Sequence, residues 1–72
     1  MEPEEYPHAV QTETVGKVRY RWYTTVEDAK QASFVAVMND LVACSRGYNT
    51  GYEVPGTIES RDGQYRVTCP MV

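Results

Sequence analysis

Basic side chains are the residues of this chain best placed to do chemistry, and that chemistry is binding. Lys17, Arg19 and Arg21 occupy alternate positions of one segment, and Arg61 and Arg66 lie in another; together they are five of the seven Lys and Arg residues. Residues two apart on a strand share a face, so this spacing predicts a basic sheet face. Tyr23 continues the first row and is expected on the same face. Such a surface would hold an acidic protein patch or a phosphate backbone. A second candidate is the Gly47–Gly56 loop, where Tyr48 and Tyr52 sit between glycines and beside Pro55. Catalytic groupings are missing from the sequence. His8 is the single histidine, and there is no Ser-His-Asp set, Gly-rich phosphate loop or metal-ligand spacing. Two cysteines, Cys44 and Cys69, do not by themselves make a metal site. The expectation is therefore a protein that is not an enzyme and uses no cofactor or metal.

Three elements must position these residues. Val15 to Tyr23 alternates, with Val18, Tyr20 and Trp22 on one side and the basic row with Tyr23 on the other. Period two predicts a strand, and its apolar row is expected to face the core. A helix follows over Thr24 to Gly47. Thr25 with Asp28 makes a capping-box pattern, Glu27 and Asp28 favour the positive end of the helix dipole, and Arg46 with Gly47 is a C-terminal signal. Val26, Ala29, Ser33, Ala36, Val37, Leu41 and Cys44 recur at helical steps. Phe34, Val35, Val37, Met38, Leu41 and Val42 spread over more than one face. Either that end of the helix is buried on two sides, or it carries an apolar patch for a partner.

Thr57 to Cys69 predicts a hairpin around Asp62-Gly63, a favoured primed turn. That turn sets Arg61 opposite Gln64, Ser60 opposite Tyr65, Glu59 opposite Arg66, Ile58 opposite Val67 and Thr57 opposite Thr68. Ile58, Val67, Tyr65 and Cys69 then share one face, and Glu59–Arg66 forms a cross-strand charge pair on the other. The order is β-α-β-β: an α+β fold with one long helix on a three-stranded antiparallel sheet. Pro55 and Gly56 push the second strand to an edge, giving strand order 1-3-2. Order 1-2-3 with a parallel first pair is the alternative. The uncovered face would collect Lys17, Arg19, Arg21, Arg61 and Arg66, with Tyr23 and Gln64.

Length and charge narrow the class. Seventy-two residues predict one domain over 15–72, preceded by an acidic, flexible N-terminal tail over 1–14. The net charge is −3 and the pI about 4.9, which argues against a general nucleic-acid binder. No apolar run reaches the ~20 residues needed to span a bilayer. Met1-Glu2-Pro3-Glu4-Glu5 is the reverse of a signal peptide, so a cytoplasmic location is expected, with both thiols reduced.

The strand, then Thr-Val-Glu-Asp-Ala-Lys-Gln-Ala-Ser opening a helix, then a hairpin ending Arg-Asp-Gly-Gln-Tyr-Arg-Val, resembles the small α+β proteins that bacteriophages encode. RNA-polymerase inhibitors and anti-CRISPR proteins are examples. The resemblance covers about residues 15 to 69 and transfers no binding residue. It implies a non-enzymatic protein that occludes a host protein or ribonucleoprotein complex with an acidic surface, in the host cytoplasm. Two other classes follow from the residues themselves. One is a nucleic-acid-binding accessory protein using the basic face; the other is a structural protein that self-associates as a homodimer.

Overall fold

In a computed structural model, residues 5–45, 47 and 54–71 are described. The elements are β1 (Gln11–Val15), β2 (Val18–Tyr23), α1 (Val26–Ser45), β3 (Ile58–Arg61) and β4 (Gln64–Pro70). The fold is α+β, one helix on an antiparallel sheet in the order β1-β2-β4-β3. The sheet has four strands rather than three. The expected 1-3-2 order describes only its β2-β4-β3 part, and all three pairings are antiparallel.

The additional strand comes from the segment expected to be a tail. Gln11 to Thr14 pair with Trp22 to Arg19, and Val15 pairs with Val18. Gly16 and Lys17 are therefore a two-residue hairpin turn. Gly16 alone has positive φ (60°), the pattern of a type II′ turn, whose twist suits a hairpin. Val-Gly-Lys-Val was readable as continuous strand because only the glycine marks the break. N-terminal to β1, Val10 N donates to Trp22 O at 2.9 Å, extending the ladder by one bond.

The second hairpin follows the expected register from Ile58↔Val67 to Arg61↔Gln64. Asp62 (φ 53°) and Gly63 (φ 77°) form the primed turn. Arg66 Nη2 donates to Glu59 Oε2 at 2.7 Å. With Glu59 half exposed, that pair contributes at most about 1 kcal/mol.

At the start of α1, Asp28 N donates to Thr25 Oγ1 at 3.3 Å, half of the expected capping box. The buried stripe is Ala29, Ala32, Val35, Ala36, Asn39, Val42 and Ala43. It is rotated from the expected stripe, leaving Val26, Val37 and Leu41 exposed. Size explains the rotation. Tyr23 and Val67 project from the sheet under the helix, and alanines allow the helix backbone to come close to them. The core cluster is Tyr23, Ala29, Ala32, Ala36, Val67 and Cys69, with Tyr6, Ala9 and Tyr65 packed against it. Among the described residues, no helix is long and apolar enough to cross a membrane.

Candidate functional site

The face assignment of β2 is the main correction. Directly paired residues share a face. β2 pairs Arg19 with Cys69, Arg21 with Val67 and Tyr23 with Tyr65, and Val67 and Cys69 lie in the core under α1. Arg19, Arg21 and Tyr23 therefore face the helix. Tyr23, expected on a basic outer face, is 1% exposed. Val18, Tyr20 and Trp22 lie on the opposite face with Arg66, Thr68 and Pro70; Val18 and Tyr20 are buried as expected, but on the side of the sheet away from the helix. Both rows of β2 can be buried because it is a central strand. Alternation shows that two faces exist; the β4 register decides which one meets the helix.

The single basic face is thus divided. Lys17 is exposed in the β1–β2 turn. Arg19 donates from Nε to Thr14 Oγ1 at 3.2 Å. Arg21 is half-buried on the helix side, with its guanidinium carbon 3.7 Å from the centre of the Tyr6 ring. Of the five, only Arg61 and Arg66 share the face turned away from α1, with Glu59 beside Arg61 on β3 and directly opposite Arg66. Tyr48 and Tyr52, and the helix-end Arg46, lie outside the described residues.

On this outer face Arg66 and Trp22 are half-buried over Tyr20, which is 8% exposed, in an aromatic–cation stack. The Arg66 guanidinium carbon lies 4.1 Å from the Tyr20 ring centre and 5.9 Å from that of Trp22. Arg66 pairs with Glu59 at its end, so its charge is held from both sides while its stem covers Tyr20. Trp22 Nε1 and Arg66 Nε are buried without hydrogen-bond partners; the stack is held by ring contact more than by hydrogen bonds. Around it, Gln11, Glu13 and Arg61 are exposed. Trp22 itself is half-buried, so part of the indole faces solvent. Sequence reasoning placed Tyr20 and Trp22 under the helix because aromatic residues at alternate positions read as helix-facing core; Tyr20 is buried, but on the other side of the sheet. The signal that could have found them is Arg66, which the hairpin register already placed opposite the Ile58–Val67 face.

A second concentration of polar groups lies on the helix side. Residues 5–10 run beside α1 over β2. Tyr23 donates its hydroxyl to Pro7 O at 3.0 Å, and Tyr6 covers Arg21. Burial pushes the hydroxyls of Tyr6 and Tyr23 up to about 12, with the nearby Cys69 adding to the effect. The Cys69 thiol is also pushed up by its burial. A raised tyrosine pKa stabilises the fold fully below the unfolded value near 10, and that contribution is lost as pH climbs toward the folded value near 12. The expected result is a loss of stability between those limits. A phenolate absorbance titration should show Tyr6 and Tyr23 ionising well above the ordinary value, together with unfolding. Ionisation of Tyr6 and Tyr23 near the ordinary value with the fold intact would contradict their burial.

The exposed apolar patch considered for α1 is present in part. Phe34 (60%), Val37 (43%) and Leu41 (58%) are exposed, whereas Val35 and Val42 are buried. Among the described residues no group of three or more His, Cys, Asp and Glu could hold a metal ion. Compared with protein-family models, with curated proteins and with solved structures, the chain matches none.

Proposed function

We propose that this chain is a small non-enzymatic interaction protein that binds a macromolecular partner through the sheet face opposite α1. The Tyr20–Trp22–Arg66 stack carries this reading. Trp and Arg are enriched at binding hot spots, because they supply large contact area and directional charge with little ordering cost; Trp22 and Arg66 are the half-buried members of the stack, and the buried Tyr20 supports them from beneath. Here Arg66 is already ordered by two rings and a carboxylate, so little side-chain entropy remains to be lost on binding. Arg61 at the hairpin end offers an exposed cation for an acidic group of the partner. The mechanism is occupation of a surface on a larger protein or ribonucleoprotein complex, as in the phage-type inhibitors that the chain resembles. A nucleic-acid reading loses its footing, since Arg19 and Arg21 do not join Arg61 and Arg66 on one face.

Pull-down from a bacterial lysate with two variants tests this. Trp22→Thr with Arg61→Glu changes the sheet face; Phe34→Ser with Leu41→Ser changes the helix. The face variant is expected to weaken capture of the wild-type partner by about 30-fold, the size of one hot spot. The helix variant is expected to capture it normally. The reverse pattern would move the interface to α1, and a doubled mass in light scattering abolished by the helix variant would make that interface a homodimer.

A further inference from the structure

We infer that the outward ridge of α1 pairs with the same ridge of a second copy of this chain, the two helices running antiparallel. The sheet face proposed above lies on the other side of the sheet from α1. A dimer through the helix therefore leaves that face free, and capture of a partner there is a separate result.

The first ground is where the helix carries its bulk. Ala29, Ala32, Ala36 and Ala43 belong to the buried stripe, whereas Phe34 and Leu41, the single Phe and single Leu of the chain, are exposed. Solvating the largest apolar side chains while burying the smallest gives up hydrophobic stabilisation in a lone chain. A helix that is apolar on both sides is suited to cover on both sides. The outer set is also ordered. Lys30, Phe34, Val37, Leu41 and Cys44 follow at steps of four, three, four and three, the spacing of a coiled-coil seam, and all are exposed.

The second ground is area. Gly56 sits against Val37, and Val54 (74% exposed) and Ile58 lie two residues to either side of it. Of the nine large apolar side chains exposed among the described residues, Phe34, Val37, Leu41, Val54 and Ile58 are thus on one side of the molecule. At roughly 150–200 Å² per large apolar residue, their exposed parts come to on the order of 450 Å² per chain. Homodimer interfaces are about 65% apolar, so two such patches correspond to an interface of roughly 1,400 Å², the size of a stable, specific pair.

The third ground selects a second copy over a foreign helix. An antiparallel seam sets Phe34 against Val37 of the second copy, and Val37 against its Phe34, about a two-fold axis. The same axis brings Lys30 to Leu41 of the second copy, next to Asp40, and repeats the arrangement at the other end. The Lys30 stem covers Leu41 while its ammonium reaches the carboxylate. Cys44 Sγ donates to Asp40 Oδ2 at 4.0 Å, so that carboxylate leans toward the seam. Opposite charges therefore meet twice at the interface, although each chain carries −3.

Sedimentation equilibrium of the full chain tests the inference, with circular dichroism to check that each variant is folded. A mass near twice 8.2 kDa is expected at about 100 µM. Phe34→Glu is expected to weaken association about 100-fold, because the two-fold axis repeats the change in both copies. Lys30→Glu and Asp40→Lys lie outside the buried stripe. Each is expected to weaken self-association about ten-fold by setting like charges together, and an equimolar mixture of the two is expected to restore it. A chain that stays monomeric at about 1 mM would overturn the inference, whether or not its helix captures a foreign protein. So would a dimer indifferent to Phe34→Glu, or a mixture of the two charge variants that associates no better than either alone.

Discussion

Tyr23→Ala is expected to remove most or all of the stability of this fold at room temperature. Tyr23 is 1% exposed and central to the core cluster. Truncating a buried aromatic side chain costs about 3–5 kcal/mol through lost transfer energy and the cavity left behind. The alanines at 29, 32 and 36 that surround it have no longer side chains to fill that space. The hydroxyl bond to Pro7 O is lost as well, and with it the tie that holds residues 5–10 beside the helix, about 1 kcal/mol more. A domain of this size has stability near the low end of roughly 5–15 kcal/mol, so the sum removes most of it. Tyr23→Phe separates the two contributions: it keeps the ring and is expected to cost only about 1 kcal/mol. Urea unfolding followed by Trp22 fluorescence measures both. A Tyr23→Ala chain within about 1 kcal/mol of wild type would return Tyr23 to the outer, basic row in which alternation alone puts it.

Gly56→Ala is the second large effect, expected at about 2–4 kcal/mol, and it acts through backbone and packing together. Gly56 has φ 86°, where a side chain is strained. A Cβ there would lie 2.9 Å from Val37 Cγ2, 3.0 Å from Ser33 Oγ and 3.1 Å from Ser33 O. The last two contacts cannot yield cheaply. Ser33 Oγ donates to Gly56 O at 2.6 Å, and Gly56 N donates to Thr68 O at 2.8 Å. Gly56 therefore fastens the entry of β3 to both α1 and β4, and moving it away from the helix strains both bonds. Gly63→Ala is the internal comparison. Its φ is 77° but nothing lies within 4 Å of the added carbon, so only the conformational cost of about 1 kcal/mol applies. Equal destabilisation by the two substitutions would mean that the helix does not approach Gly56 as closely as described.

Local signals in this chain were legible wherever one short segment holds all the information. The Asp62-Gly63 turn determines its own register, and Ile58↔Val67 through Arg61↔Gln64 follow from it. Thr25 with Asp28 placed the helix start, and the structure shows that cap. The Gly16-Lys17 turn was legible in principle but carries one glycine in an otherwise strand-like run, and missing it hid β1 in an expected tail. The apolar residues of α1 surround the helix more than they mark one side, so periodicity could not choose between the Ala-rich stripe and the Phe34–Leu41 stripe.

The amino-acid sequence by itself determined the helix, three of the four strands, the Asp62-Gly63 register, the helix cap and the Glu59–Arg66 pair, because each depends on residues within a few positions of one another. Tertiary structure alone decided which face of β2 meets the helix. That choice rests on β2 pairing with β4, some 46 residues apart at Arg21↔Val67. It also rests on the small side chains of α1 packing over Tyr23 and Val67. A period of two is indifferent to a half-turn of the strand. Only the register with a distant neighbour breaks that symmetry, and it carried Arg21 to the helix side against Tyr6, and Tyr20 and Trp22 to the other side against Arg66.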